Sequence, residues 1–318
     1  MDKKLTNINH DTYVYLTNKN QINGVIHISH GMAEHIGRYK WLIEKLNDDG
    51  YHVISIDHRG HGKNITNFEN QGYFADNNGW QKVGNDLIDL VNFTNEKYPN
   101  LNQYLIAHSM GSWISLSALI DNIKIDGLIL SGSGFIPKHI IFLQMIISNL
   151  SALLFGDKSE NSFMHKITFE TYNNFFKPTR TKSDWLTSDI ISVDNYEKDQ
   201  LCGFKSKVNV WRNMTKIFSR VFKENNYKDV NKKIPIYIIS GADDPVGGFS
   251  KNVKKLHIFL SKIFINVKID IIESSRHEVF NEKNKDKTYN ELVSFLESIW
   301  NLLYLFLLSF QFQYLLLK

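Results

Sequence analysis

QYLIAHSMGS, residues 103–112, decides the fold of this chain. Gln103 to Ala107 is a short apolar run that ends at a serine flanked by small residues, and Trp113, Leu116, Leu119 and Ile120 then recur at helical spacing. The stretch reads as strand, sharp turn, helix, with Ser109 at the turn. A serine hydroxyl is a weak nucleophile at neutral pH, so a chain that uses one holds it clear of the backbone, beside a base and beside backbone donors for an oxyanion. A nucleophile elbow achieves this with small residues two before and two after the serine, because the tight turn brings their backbones together. Here those residues are Ala107 and Gly111. The usual pattern is G-x-S-x-G, and alanine at the first position reads as a tightened turn.

Outward from the turn, apolar runs at 24–30, 52–57, 127–134, 235–244 and 268–277 read as further strands. Helical periodicity lies between them: Tyr39 to Leu46, 79–98 with Pro99 as its stop, roughly 247–264, and 286–304. Apolar strands without period-two alternation, separated by helices, predict a parallel sheet covered on both faces. One interval breaks the alternation. Residues 135–231 hold no clear strand and are rich in apolar and aromatic side chains, as in HIIFLQMIISNLSALLF (139–155). An insertion there reads as a helical lid over the sheet's carboxyl edge, where open α/β sheets bind ligands. The expected domains are a core in two parts, 1–134 and 232–300, the lid at 135–231, and an apolar tail at 301–318.

Composition is that of an ordinary globular protein of 318 residues, 42% hydrophobic and 22% charged. The net charge of +4 is spread without a basic run, so no nucleic-acid partner is expected. The single cysteine, Cys202, cannot form an internal disulfide and reads as a packed thiol, which suits a cytoplasmic location. The N-terminus lacks the apolar h-region of a secretory signal. From Ile299 to Leu317 the tail is apolar except for Asn301, Ser309, Gln311 and Gln313. It reads as a segment that packs on the domain or is poorly ordered, with membrane attachment the lesser alternative.

A serine hydrolase also needs a base, a group to orient it and two oxyanion donors. Of the twelve histidines, His277 follows a strand near the C-terminus, and Asp243 and Asp244 directly follow another strand. The order Ser, Asp, His is that of the α/β-hydrolases. The chain resembles the monoacylglycerol lipase and lysophospholipase group of that fold, often grouped with serine aminopeptidases. The resemblance rests on SHGMAEHIGRY (29–39), DHRGHGKN (57–64), AHSMGS (107–112), SGADDPVGG (240–248) and SSRHEVFNE (274–282). A lid segment, DWLTSDIISVDNYEKDQLCGF (184–204), resembles bacterial members, and coverage runs from about residue 10 to 300.

The resemblance implies a mostly parallel central sheet with helices on both faces and a helical lid inserted after the sixth strand. It implies Ser109 as nucleophile, His277 as general base and acid, and Asp244, three residues after Gly241, as the orienting carboxylate. The oxyanion donors would be the backbone N–H groups of Met110 and Met32. It assigns structural roles to His30, His58 and His61, so no metal and no cofactor are expected, and Asn64 stands where the family usually has serine. The implied substrate is a lipid monoester, monoacylglycerol or lysophospholipid, with peripheral membrane contact through lid or tail as a compatible expectation. A short-chain esterase or thioesterase with the same triad, and a non-catalytic lipid-binding protein on this scaffold, are the alternatives.

Overall fold

Seven strands form one sheet in the computed structural model, which describes residues 11–299. They are β1 (Thr12–Tyr15), β2 (Gly24–Ser29), β3 (Tyr51–Ile56), β4 (Gln103–His108), β5 (Gly127–Ser131), β6 (Ile236–Gly241) and β7 (Val267–Ile272), in spatial order β1-β3-β2-β4-β5-β6-β7. Only β1 runs antiparallel, pairing Thr12 with Ile56 and Tyr15 with Val53. The other neighbours are parallel, and β2, β3, β4, β5 and β6 are buried along their whole length. Burial on both faces explains the continuous apolar runs. The sequence reading misses β1, whose four residues TYVY are too few to show a period.

Helices α1 (Lys40–Asp48), α2 (Gly79–Lys97) and α3 (Met110–Ile120) follow β2, β3 and β4 respectively. Two apolar layers result. One packs α2 and α3 against the sheet through Leu87, Ile114 and Leu116. The other packs α1 and the helical residues 285–299 through Leu42, Leu46, Leu292 and Leu296. The tail, residues 301–318, lies outside the described residues.

Between β5 and β6 the described residues hold helices and no strand: α4 (Lys138–Phe155), α5 (Ser162–His165), α6 (Thr171–Asn174), α7 (Ile190–Lys198) and α8 (Val208–Val221). A final helix of this series, α9 (Lys251–Ser261), lies between β6 and β7. The sequence reading places the insertion after a sixth strand, whereas among the described residues it follows the fifth, with residues 1–10 outside the description. The insertion is tied to the sheet's carboxyl ends, where Gly203 N–H donates to the Ala33 carbonyl (2.9 Å) and Glu278 N–H to that of Leu186 (2.8 Å). Its last helix is part of the main core, for Met214, Ile217 and Phe218 join the apolar layer of α3.

Candidate active site

Ser109 sits where β4 ends and α3 begins, with φ 50° and ψ −119°, a conformation that L-residues seldom adopt. Its N–H donates to the Ser131 carbonyl of the next strand (2.9 Å), which holds the turn to the sheet. The two flanking small residues differ in why they are small. A Cβ on Gly111 would lie 2.1 Å from the Ser29 carbonyl oxygen, so only glycine lets α3 approach β2 this closely. The methyl of Ala107 is instead fully buried within the apolar layer of α3. Position 107 therefore accepts a methyl, which explains the departure from G-x-S-x-G.

The loop after β6 places the two aspartates on opposite sides. Asp243 is exposed, whereas Asp244 is fully buried and its Oδ1 accepts from His277 Nδ1–H at 3.0 Å. Val246 N–H also donates to Asp244 Oδ1 (2.9 Å), and the Ser240 hydroxyl to Oδ2 (3.2 Å). Burial pushes the Asp244 carboxyl up, but His277 and the backbone N–H groups of Val246 and Gly247 more than reverse it, and the group stays below the usual carboxylate range. Burial likewise pushes His277 down, and Asp244 overrides it, so the imidazole lies above its ordinary value of 6.5.

His277 comes to the serine's side of the sheet. Its ring lies 4.6 Å from that of His108, the residue before Ser109, and a Cβ on Gly132 would fall 2.9 Å from His277 Cε1. Among the described residues Ser109 Oγ makes no hydrogen bond, His277 included. Catalytic hydrogen bonds of an unliganded site commonly tighten only when substrate arrives. His108 is driven down to about 4 by burial first and by His277 second. Both methionines lie where the sequence places them: Met110 opens α3, Met32 follows β2, and the two line one cavity with Ser109.

That cavity has a volume of about 310 Å³ and apolar walls, among them Trp113, Ile140, Leu143, Trp185 and Phe218. Volumes of this order suit small-molecule sites. Trp185 lies 5.0 Å from the His277 ring. The insertion thus supplies a wall of the cavity and a ring beside the candidate base.

Three charged residues escaped the sequence reading, although they stand inside its quoted motifs. Arg38 donates through Nη1 to Glu34 (2.7 Å) and Glu278 (2.5 Å), and through Nη2 again to Glu278 (2.7 Å). Glu34 also accepts from Gly31 N–H (2.5 Å) and from the Tyr39 hydroxyl (2.8 Å). This buried clamp joins the loop that carries Met32 to the residue after His277. Burial pushes Glu34 up, but Arg38 and the neighbouring imidazoles hold it at about 2. The spacing of Glu34 and Arg38, one helical turn apart, was the available signal.

The loop histidines bond the backbone around the site. His30 Nε2 accepts from His58 N–H (2.9 Å), while His30 Nδ1 faces the Gly31 carbonyl (2.8 Å) and His61 Nδ1 that of Arg59 (2.9 Å). Asn64, the departure from the family serine, donates to the Asp57 carbonyl (2.5 Å), so a loop hydrogen bond is present there. One group has the composition of a metal site: His35, Asp199 and Cys202, with donor atoms within 4.8 Å of one another. His35 Nδ1 accepts from Gly37 N–H (3.1 Å), which leaves the ring proton on Nε2, donated to Asp199 at 2.8 Å. A metal-bound imidazole normally donates from its other nitrogen, so this geometry favours the hydrogen bond.

A family model described as "Serine aminopeptidase, S33" matches residues 20–284. The "Monoglyceride lipase homolog" of Monkeypox virus is 26% identical over 83% of this chain and 84% of its own length. "Phospholipase YtpA" of Bacillus subtilis is 25% identical over 86% of this chain and 95% of its own. Among solved structures, a thermostable carboxyl esterase from Bacillus coagulans superposes with a TM-score of 0.83 at 26% identity, covering 94% of this chain and 97% of that one.

Proposed function

The chain belongs to the serine aminopeptidase S33 family and is a carboxylic ester hydrolase, and from that premise we propose that it cleaves lipid monoesters through Ser109, His277 and Asp244. In this reading Ser109 Oγ attacks the ester carbonyl while His277 Nε2 takes its proton. The N–H groups of Met32 and Met110 stabilise the oxyanion, each worth about 3 kcal/mol in the transition state. His277 then protonates the leaving alcohol. Water attacks the acyl-serine in the second half, again deprotonated by His277, and the fatty acid departs. Asp244 holds the ring so that Nδ1 keeps its proton and Nε2 faces the nucleophile.

The observation that carries the proposal is the meeting of Ser109, in its strained turn, with a cavity walled by apolar side chains next to the buried Asp244–His277 pair. Such a wall suits an acyl chain, and the names of the viral and Bacillus relatives support a lipid ester. The insertion then serves as the lid. On α4 only Ile141 and Ser148 are buried, while Leu153, Leu154 and Phe155 are largely exposed. We assign that outer face to contact with the lipid surface from which substrate is drawn.

The test is a series of p-nitrophenyl esters from C2 to C16, together with fluorophosphonate labelling. The expected result is a maximum at medium or long chains and labelling lost in S109A. A steep preference for C2 to C4 would overturn the lipid reading, and unlabelled folded wild type would overturn the nucleophile.

A further inference from the structure

The oxyanion donor Met32 and the base His277 stand on loops far apart in the chain, one after β2 and the other after β7. Groups that act together on one reacting carbon have to be held to within about 0.5 Å of their working geometry. A single buried guanidinium spans the two loops. Arg38 is bidentate to Glu278, through Nη1 to Oε1 (2.5 Å) and Nη2 to Oε2 (2.7 Å), and Nη1 also donates to Glu34 Oε2 (2.7 Å). Glu278 directly follows His277, and its own N–H is fixed by the Leu186 carbonyl (2.8 Å).

The other arm of the clamp ends on backbone beside the nucleophile. Glu34 Oε1 accepts from Gly31 N–H (2.5 Å), and a Cβ on Gly31 would fall 3.3 Å from Ser109 Cβ. His30 Nε2 accepts from His58 N–H (2.9 Å), so its proton lies on Nδ1, which donates to the Gly31 carbonyl (2.8 Å). That carbonyl shares a trans peptide unit with Met32 N–H, and the two point in opposite directions. Gly31 is therefore held at its N–H by Glu34 and at its carbonyl by His30, which fixes the direction of the Met32 N–H. The insertion closes the clamp: the Arg38 guanidinium carbon lies 4.7 Å from the ring centroid of Tyr196 on α7.

A buried ion cluster is weak evidence for stability, because apolar groups of the same volume commonly serve a core as well or better. What distinguishes this cluster is its place between the two loops. We propose that Arg38 is a positioning residue for ester cleavage: through Glu34 and Glu278 its planar fork sets the Met32 N–H, which receives the oxyanion, against the His277 ring, which moves the proton. The inference rests on the ester-hydrolase reading of Ser109. Lysine at this position would keep the charge and lose the fork.

The experiment measures Ki for two competitive inhibitors with the same alkyl chain. One is a boronic acid, which adds to Ser109 and copies the tetrahedral transition state; the other is a primary amide, which binds without reacting. Neither constant depends on the fraction of enzyme that is folded, so a loss of stability alone moves neither. In R38Q the boronate Ki should rise about tenfold to hundredfold, the scale of a reacting group displaced by about 1 Å, while the amide Ki stays at the wild-type value. R38K should keep most of that loss. E278Q leaves one carboxylate on one guanidinium, a neutral pair that should remain folded, and its boronate Ki should rise about tenfold with the amide Ki again unmoved. An unchanged boronate Ki in E278Q or in folded R38Q overturns the proposal, as do equal rises of both constants and full recovery in R38K. Wild type that hydrolyses no ester and binds no boronate overturns the reading of Ser109 instead, a separable outcome.

Discussion

The carboxyl edge of the sheet and the helical insertion above it line the same cavity, yet they are built on opposite terms. At the edge, Asp244 and His277 are buried and hydrogen-bonded, and Arg38 is fixed by two carboxylates. On the insertion, α4 leaves Phe142, Leu150, Leu153, Leu154 and Phe155 exposed. Atoms at the edge are held to positions, because a buried charge without its partner is costly. Side chains of the lid need only be apolar. On the reading proposed above, the edge sets chemistry and the insertion sets what reaches it, so substitutions in the two regions should fail in different ways.

The sharpest break of that contrast lies between neighbours in the β6 loop. D244N should lower kcat about 10⁴-fold, because the amide no longer fixes the His277 ring with its proton on Nδ1. D243N, one residue earlier and exposed, should stay within about twofold of wild type, as surface changes generally do. Steady-state kinetics on one p-nitrophenyl ester decides it, and the reverse pattern would assign the wrong carboxylate.

The serine turn offers the next test. G111A forces a Cβ to 2.1 Å from the Ser29 carbonyl, so β2 and α3 must separate; urea unfolding should show a loss of about 3 kcal/mol, the upper range for overpacking. A107G, which gives up a buried methyl and stiffens nothing, should cost about 1 kcal/mol. Equal costs would mean that both positions are held small for the same reason.

The lid should respond to charge in binding and not in folding. L153D/L154D/F155D places carboxylates on side chains that are 82%, 63% and 70% exposed. Partition onto liposomes should drop about tenfold or more, given roughly 2 kcal/mol for each large apolar side chain taken from water. Turnover of a water-soluble ester should hold within about twofold, because none of the three lines the cavity. Unchanged partition would remove the lid's outer face from the lipid contact.

How far the sequence could be read follows the same division. At the edge the sequence offered fixed points: Ser109 at a turn and His277 after the last strand came from the pattern of residues. Asp243 and Asp244 were not separable there, and Asp244 rested on the resemblance; the structure buries Asp244 against His277 and leaves Asp243 exposed. Gly111 was legible for a steric reason, the crowding of the turn. The clamp of Glu34, Arg38 and Glu278 was not, since Glu278 stands 240 residues from Arg38 and only the closed sheet brings them together. Trp185 was equally hidden, because nothing in an apolar, aromatic interval marks which ring will lie on the candidate base. The four-residue β1 was lost to its brevity. Composition did announce that the insertion is apolar and helical, which is all that its packing demands.

The smallest predicted effect is a displacement in pH, and it sets activity against stability at a single pair. Asp244 raises the His277 pKa above 6.5 in the folded state, against the opposing pull of burial. General base catalysis needs the neutral ring, so kcat/KM should rise with pH along a limb whose midpoint lies above that of an ordinary histidine. The sign for folding is the reverse. A raised folded-state pKa contributes stability that is fully present below the unfolded value and is lost as pH rises through the folded one. Between those two values the enzyme should gain rate while its urea midpoint declines. In D244N the largest raising influence is gone and only the weaker pull of Glu278 and Glu34 opposes burial, so the residual activity should show its limb displaced to lower pH. A limb that stays in place in D244N would mean that a group other than Asp244 sets the protonation of the base.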